Sequence, residues 1–365
     1  VYRGPGTDAD PRQSTYNPEI HDRLPYALVP AGGCHLRAVG SRTVRRERGA
    51  VNQPLRVGVV GVGYLGRIHA RIYAAMPDVD LVGVVDIDEA SARHVASECR
   101  CDPFTDPEAL IDRVDAVSIV VPTSVHLPVA MPYLKAGVHM LLEKPVAPTV
   151  AEAERIVAAA DAAGVILQVG HLERFNAGIM TLAERVSAPR FIEVHRLRTF
   201  VERATDVDVV TDLMIHDIDI VLSLVHSPLR YVSAVGSAVV TEHVDIANAR
   251  LEFENGAVAN VTASRVSNKK FRRIRVFGTD AYLALNYIDQ QIEIVRAQRR
   301  GGESRFPDIR TEQIVVEPKP PLDAELMHFV QAVRNRAAPL VNGHDGLEAL
   351  KVAIQVKDRI DSCLT

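Results

Sequence analysis

The sequence predicts an α/β chain in two halves. The first is a doubly wound parallel sheet covered by helices. The second is an α+β domain with an open, mostly antiparallel sheet. Three observations carry this. From Leu55 onward, short β-branched apolar runs alternate with segments of helical periodicity. A glycine triplet, Gly61, Gly63 and Gly66, joins the first run to the first helix. After about residue 190 the alternation gives way to successive strand-like runs.

In order, LRVGVVGVG from Leu55 reads as a buried strand ending in glycines, and Leu65, Ile68, Ile72 and Ala75 recur at helical spacing after it. LVGVVD at 81–86 is a second strand, and a helix follows from about Asp88 to Glu98. AVSIVVP at 116–122 is a third strand. Residues 124–136 have helical length but carry Pro128 and Pro132, so a kink or a late start is expected. VHMLLEKP at 138–145 is the fourth strand. Thr149 and Glu152 form a capping box, Gly164 stops the helix that it opens, and VILQVGH at 165–171 is a further strand. Strands that are apolar on both faces and alternate with helices belong to a covered parallel sheet.

FIEVHRLRTF, YVSAVGSAVV, IANARLEF with ENGAVANVTASRV, RRIRVFGTDAYLALNY and QQIEIVRA are the strand candidates of the second half, and Asn255-Gly256 centres a hairpin turn. Helical periodicity returns from about Leu322. The expected domains are thus 55–172, 173–321 and a closing helical segment, 322–365, that packs back on the core. Residues 1–54 lack apolar periodicity and read as a disordered or non-native extension, with Arg45, Arg46 and Arg48 solvated.

The net charge of -4 argues against a global field for nucleic acid or anionic membrane. No apolar run approaches the roughly 18 residues of a membrane span. The four cysteines, Cys34, Cys99, Cys101 and Cys363, are too scattered for a disulfide scaffold, and Cys99-x-Cys101 has no second Cys/His cluster to complete a zinc site. A reducing cytoplasm and no bound metal are the plain expectations.

Gly61-x-Gly63-x-x-Gly66 leaves a strand and opens a helix. There the first two glycines allow a tight turn and close approach to a pyrophosphate, and the third allows close helix–strand packing. The backbone from Gly61 through Tyr64 and Leu65 to Gly66 would cradle the phosphates on bare helix N–H groups. This is the Rossmann pattern. Asp86, 20 residues after Gly66, can accept both ribose hydroxyls and would repel a 2′-phosphate, and no arginine stands beside it in DIDEAS. NAD is therefore the expected cofactor.

TDLMIHDID at 211–219 crowds Asp212, His216, Asp217 and Asp219 onto an apolar segment. On a helix Asp212 and His216 share a face, so the carboxylate would orient the ring and favour its protonated form. Thr211 or Asp212 could cap the helix. The pair also fits a capped helix with a satisfied histidine, or two ligands of a metal. Asp219 reads as support behind the site and Asp217 as structural or solvated.

GVGYLG, LLEKPVAPT, GHLERFN and TDLMIHDID, in this order and with the late LDAELMHFVQAV and GHDGLEAL, resemble the Gfo/Idh/MocA oxidoreductases from about Leu55 to the end. The resemblance implies NAD- or NADP-dependent oxidation or reduction of sugars and cyclitols, without metal. It also implies subunit contacts through the open sheet, giving a homodimer or homotetramer. It makes Lys144 the active-site lysine, places Glu143 near the nicotinamide ribose, and puts Pro145 after a bond that is often cis. Asp212 and His216 match its D-x-x-x-H pair, with His216 as proton-transfer residue. Thr123 and His126 would line the cofactor cleft, and Arg174 would lie near the substrate. Ala177, where many members have proline, departs from the pattern and puts the local loop shape in doubt.

In that reading Lys144 holds the substrate oxygen, can relay its proton, and His216 acts as base. ERFN, TDLMIHDIDIVLSL and VFGTDAYLALNY look most like members that oxidise the 3-hydroxyl of UDP-N-acetylglucosamine in lipid A or amino-sugar biosynthesis, whose ketone passes to an aminotransferase. An NAD-dependent dehydrogenase of a free sugar or cyclitol such as inositol is the alternative. A non-catalytic dinucleotide-binding sensor is the alternative of another class. Lys269, Lys270, Arg272, Arg273 and Arg275 on one strand candidate read as a solvated sheet face, or as groups for an anionic substrate or subunit contact.

Overall fold

A computed structural model describes residues 53–201, 207–298 and 307–364. The expectations for the N-terminal extension, its arginines and Cys34 lie outside the described residues, apart from Gln53 and Pro54. Residues 52–365 form one compact unit.

The first half is a six-stranded parallel sheet of β1 (Leu55–Val60), β2 (Val79–Val85), β3 (Asp102–Phe104), β4 (Ala116–Ile119), β5 (His139–Glu143) and β6 (Leu167–Gly170). Their order is β3-β2-β1-β4-β5-β6, so the winding reverses between β1 and β4. Ligands of such sheets bind beyond the strand C-termini at that reversal. Helices α1 (Tyr64–Ala75), α2 (Glu89–Cys99), α3 (His126–Lys135) and α4 (Val150–Ala163) connect the strands. Alternation splits the buried residues between two faces. Val57 and Val59 pack with Ala70 and Tyr73 of α1, whereas Val60 packs with Ala130 of α3 and Ile156 of α4.

Local chemistry sets the boundaries. Asp88 caps α2, its carboxylate accepting from the Ala90 and Ser91 amides. The Thr149 hydroxyl accepts from the Glu152 amide, and Gly164 ends α4 at φ 63°. A 3-10 turn, Thr123–Val125, precedes α3, which places Pro128 in its first turn and carries Pro132 inside. The late start is as expected. Strand β3 escaped sequence reading because three residues carry no period.

The second half is an eight-stranded sheet, order β14-β13-β12-β11-β7-β10-β9-β8. Its strands are β7 (Phe191–Leu197), β8 (Leu229–Ser237), β9 (Ile246–Phe253), β10 (Val258–Ser264), β11 (Phe271–Phe277), β12 (Tyr282–Asn286), β13 (Gln291–Gln298) and β14 (Asp308–Val315). Only β7 and β10 pair in parallel. Gly256 supplies φ 81° in the β9–β10 turn. Strand β14, DIRTEQIV, is a polar edge strand whose apolar positions are too few to announce it.

A short helix, α5 (Ala177–Ala183), leads into this half, and α6 (Ile215–Val225) covers one face of the sheet. Helix α7 (Pro321–Asn335) returns to the first half, burying Leu326, Phe329 and Val330 against Val57 and Tyr73. Helix α8 (Gly343–Leu364) joins both cores, with Leu347 and Leu350 in one and Val352, Val356 and Ile360 in the other. Ahead of it, the Val169 amide donates to the Val341 carbonyl at 3.0 Å, which covers the β6 edge.

Candidate active site

The phosphate cradle is built as its spacing demands. Gly61 has φ +87°, and a Cβ there would lie 2.4 Å from the Val120 carbonyl oxygen. A Cβ on Gly66 would lie 1.8 Å from the Gly61 carbonyl oxygen. These two glycines are needed by the protein itself. Gly63 is not: a Cβ there meets nothing within 4 Å. Gly63 is the N-cap of α1, with no side-chain cap and no acidic residue in the first turn. The positive end of the helix dipole thus meets no capping side chain at Gly63, which fits a pyrophosphate. Tyr64 is 70% exposed at this mouth, and Leu65 is half-buried.

Asp86 ends up beside the cradle. Its carboxylate accepts from the Val62 amide at 2.8 Å and the Asp88 amide at 3.0 Å. Both oxygens are held from the protein side. The carboxylate is therefore pre-oriented as a ribose acceptor, and the residues present fit NAD.

Strand β5 delivers Glu143 and Lys144, and the Lys144–Pro145 bond is cis. The Glu143 carboxylate lies over Gly170 of β6, where a Cβ would come within 2.8 Å of it. Behind it, His69 Nε2 lies 3.4 Å from Glu143 Oε1, and His69 Nδ1 lies 3.3 Å from the Ser118 hydroxyl. Lys144 Nζ donates to the backbone carbonyl of Asp212 at 3.0 Å. Burial pushes the Lys144 ammonium below its ordinary pKa, opposed by Asp212 and Glu143.

The TDLMIHDID segment departs from its expected geometry in three ways. Asp208, not Thr211 or Asp212, caps it, its Oδ1 accepting from the Val210 and Thr211 amides at 2.9 Å. Residues Val210–Met214 form a π-helical turn before α6 begins at Ile215. In that wider turn the four-residue spacing no longer aligns Asp212 with His216. The Asp212 carboxylate instead accepts from Arg198 at 2.7 Å. His216 Nδ1 is buried without a partner. Its pKa is also driven down rather than up, by burial first and then by Lys144, Arg196, His171 and Arg272. A neutral histidine beside a lysine is therefore what the protein offers.

Below the site lies a buried ionic network. Arg196 donates Nε and one terminal nitrogen to Asp217, each at 2.7 Å, and its other terminal nitrogen to Glu173 at 2.6 Å. Arg272 reaches the same Glu173 oxygen at 3.3 Å. Asp217 is thus structural and fully buried, not solvated. Arg273 and Arg275 pair with Glu293 and Glu193 across the open sheet face.

Two residues expected to line the site bond within the protein. Arg174 donates to Asp219 Oδ1 at 3.3 Å and to the Leu340 carbonyl at 3.2 Å, so it braces α6 against the segment before α8 while its charge acts on His171. His126 is fully buried, with ring nitrogens 3.1 Å from the Val146 carbonyl and 3.0 Å from the Val121 carbonyl. It ties the cleft loops together from behind. Thr123 is half-buried and opens the 3-10 turn ahead of α3.

Sequence reading missed His171, Arg196, Arg198 and Glu325. His171 lies in the quoted GHLERFN, yet nothing in the pattern tells a buried ring from a surface one. Arg196 and Arg198 sit in a period-two strand whose facing is fixed only by the sheet. Glu325 of α7 is fully buried with neither carboxylate oxygen partnered, and burial with Glu143 nearby raises its pKa well above the carboxylate range. Among the described residues, no group of three His, Cys, Asp or Glu side chains is arranged to hold a metal ion.

A domain that offers a helix N-terminus without a side-chain cap to a pyrophosphate and sets a lysine and a neutral histidine beyond it is built for nicotinamide-dependent dehydrogenation. Residues 55–171 match the oxidoreductase family with an NAD-binding Rossmann fold, and residues 183–284 match the GFO/IDH/MocA C-terminal domain. The chain is 38% identical to UDP-N-acetylglucosamine 3-dehydrogenase of Acidithiobacillus ferrooxidans, over 85% of this chain and 98% of that protein. It is 27% identical to myo-inositol 2-dehydrogenase of Thermotoga maritima, over 84% and 96%. A solved structure of the Acidithiobacillus enzyme superposes with a TM-score of 0.79, covering 86% of this chain and 99% of that one. The chain belongs to the Gfo/Idh/MocA oxidoreductases. It is a dehydrogenase with NAD as its cofactor, not a non-catalytic dinucleotide sensor.

Proposed function

We propose that this enzyme oxidises a secondary hydroxyl of a sugar to a ketone, and that its substrate is UDP-N-acetylglucosamine, oxidised at the 3-hydroxyl. The observation that carries the substrate is the similarity reported above: 38% identity over nearly all of a UDP-N-acetylglucosamine 3-dehydrogenase, against 27% to an inositol enzyme. The 27% relative keeps a free cyclitol as the second reading.

Bound NAD supplies the hydride acceptor. The chain's own groups handle the rest. His216, neutral because burial and the cations around it keep a proton off, takes the hydroxyl proton. Lys144, fixed by the Asp212 carbonyl, sets a donor where negative charge develops on the substrate oxygen. Arg198 and Arg196 hold Asp212 and Asp217, so these two carboxylates are not free to pair with either group. The same reading carries a homodimer or homotetramer through the open face of the second sheet, a partner aminotransferase for the ketone in lipid A or amino-sugar biosynthesis, and a cytoplasmic setting. Among the described residues no helix is long and apolar enough to cross a membrane.

The test is NADH formation from NAD with UDP-N-acetylglucosamine, beside myo-inositol, glucose and an NADP control. Turnover confined to the nucleotide sugar supports the proposal. Turnover confined to a free polyol replaces the substrate and keeps the site.

A further inference from the structure

His171 and His216 face each other edge to face, ring centroids 6.1 Å apart and planes at 88°. Three of their four ring nitrogens, both of His171 and Nδ1 of His216, are buried with no hydrogen-bond partner. Buried polar groups left unpaired are rare and costly. Here they occur as a matched set on two adjacent rings. Three carboxylates of the site are engaged elsewhere: Asp212 by Arg198, Asp217 by Arg196, and Glu173 by Arg196 and Arg272.

We infer that His171 is the positioning residue of the active site: its unprotonated ring nitrogen accepts from Nδ1–H of His216, and so leaves Nε2 of His216 bare as the proton acceptor. Rotation about the broad histidine χ2 aims the two nitrogens at each other, and an approach of the rings by about 1 Å through a small χ1 change brings them to hydrogen-bond distance. The role resembles that of a carboxylate behind a catalytic histidine, with one difference. A carboxylate favours the imidazolium, whereas a neutral imidazole fixes the tautomer without adding charge. His171 is suited to this because burial, then Lys144 and Arg174, lower its pKa to about 3, which keeps it neutral.

This inference rests on His216 acting as base, and its test reads the tautomer rather than turnover. Protein labelled with 15N in its histidine rings, without cofactor and at pH 7, is examined by long-range proton–nitrogen correlation. His216 is assigned by its loss in His216→Gln. The expected result is a proton on Nδ1 and none on Nε2 of His216. In His171→Phe the proton moves to Nε2, and kcat falls at least about tenfold with NAD affinity unchanged. His171→Asn, whose amide oxygen can accept, restores the Nδ1–H form in part. An Nε2–H tautomer in the unaltered protein, or an Nδ1–H tautomer that persists in His171→Phe, overturns the inference. Should His171→Phe fail to fold, the unaltered protein and His171→Asn decide by the same criterion. Failure of the substrate proposal shows separately, as absent NADH formation by the unaltered enzyme, and leaves the tautomer result standing.

Discussion

The carboxylate of Asp212 is bound to Arg198 at 2.7 Å, while its backbone carbonyl receives Lys144 at 3.0 Å. One residue thus positions the lysine through its main chain and a strand arginine through its side chain. It does not buttress His216. Removing the side-chain charge should accordingly be milder than removing either neighbour. Asp212→Asn keeps the carbonyl and is expected to lose about tenfold in kcat. Lys144→Ala and His216→Ala, which remove acid–base groups, are expected to lose at least about 100-fold, with NAD still bound. Steady-state NADH formation and NAD fluorescence titration read both. Near-normal rates in either alanine variant would refute the assigned roles.

How much of this was legible beforehand follows the range of the interactions. The cradle, Asp86 and the Thr149 cap are local, and a strand–glycine–helix pattern encodes them directly. The lysine and histidine were legible through motif resemblance. Their surroundings were not. Arg198 meets Asp212 and Arg196 meets Asp217 because β7 runs beneath α6, a fact of packing that no spacing announces. The π-helical turn at Val210–Met214 rotates Asp212 away from the face it shares with His216 on a regular helix. Periodicity arguments assume the regular helix, and there they fail.

The cradle separates structural from functional glycines. Gly66→Ala places a Cβ 1.8 Å from a carbonyl oxygen and should destabilise the fold by several kcal/mol, read as a lowered urea midpoint. Gly63→Ala meets nothing in the protein. Its stability should change by no more than about 0.5 kcal/mol. Its NAD affinity should nevertheless drop about tenfold or more, because the methyl intrudes where the pyrophosphate must approach. Equal NAD affinity in Gly63→Ala and the unaltered protein would place the phosphates elsewhere.

Arg196 is the keystone of the buried network. Arg196→Met leaves Asp217 buried without its partner and Glu173 with Arg272 alone, at a cost of about 3–5 kcal/mol in chemical denaturation. Arg196→Lys should recover only part of this, since an ammonium cannot span the bidentate geometry. Full stability in the lysine variant would show that charge alone is needed.

Asp219 gives a pH signature. Burial holds its carboxyl up at about 7, against Arg174, whereas in the unfolded chain it titrates near 3.8. The native state therefore keeps a proton that the unfolded state releases. Stability from this group is full below about pH 4 and is lost as pH rises toward and through 7. Asp219→Asn carries no such proton. Its stability relative to the unaltered protein should rise between pH 4 and 8 in matched urea titrations. A difference that stays flat across that range would mean that Asp219 is ionised throughout.

The most direct test of the central claim uses UDP-N-acetylglucosamine carrying deuterium at carbon 3. The unaltered enzyme is given this substrate with NAD, and the reduced nicotinamide is analysed by mass spectrometry. The account predicts that the deuterium appears on the nicotinamide of every NADH formed, with a ketone left at carbon 3. Reduced nicotinamide that forms without the label would contradict it.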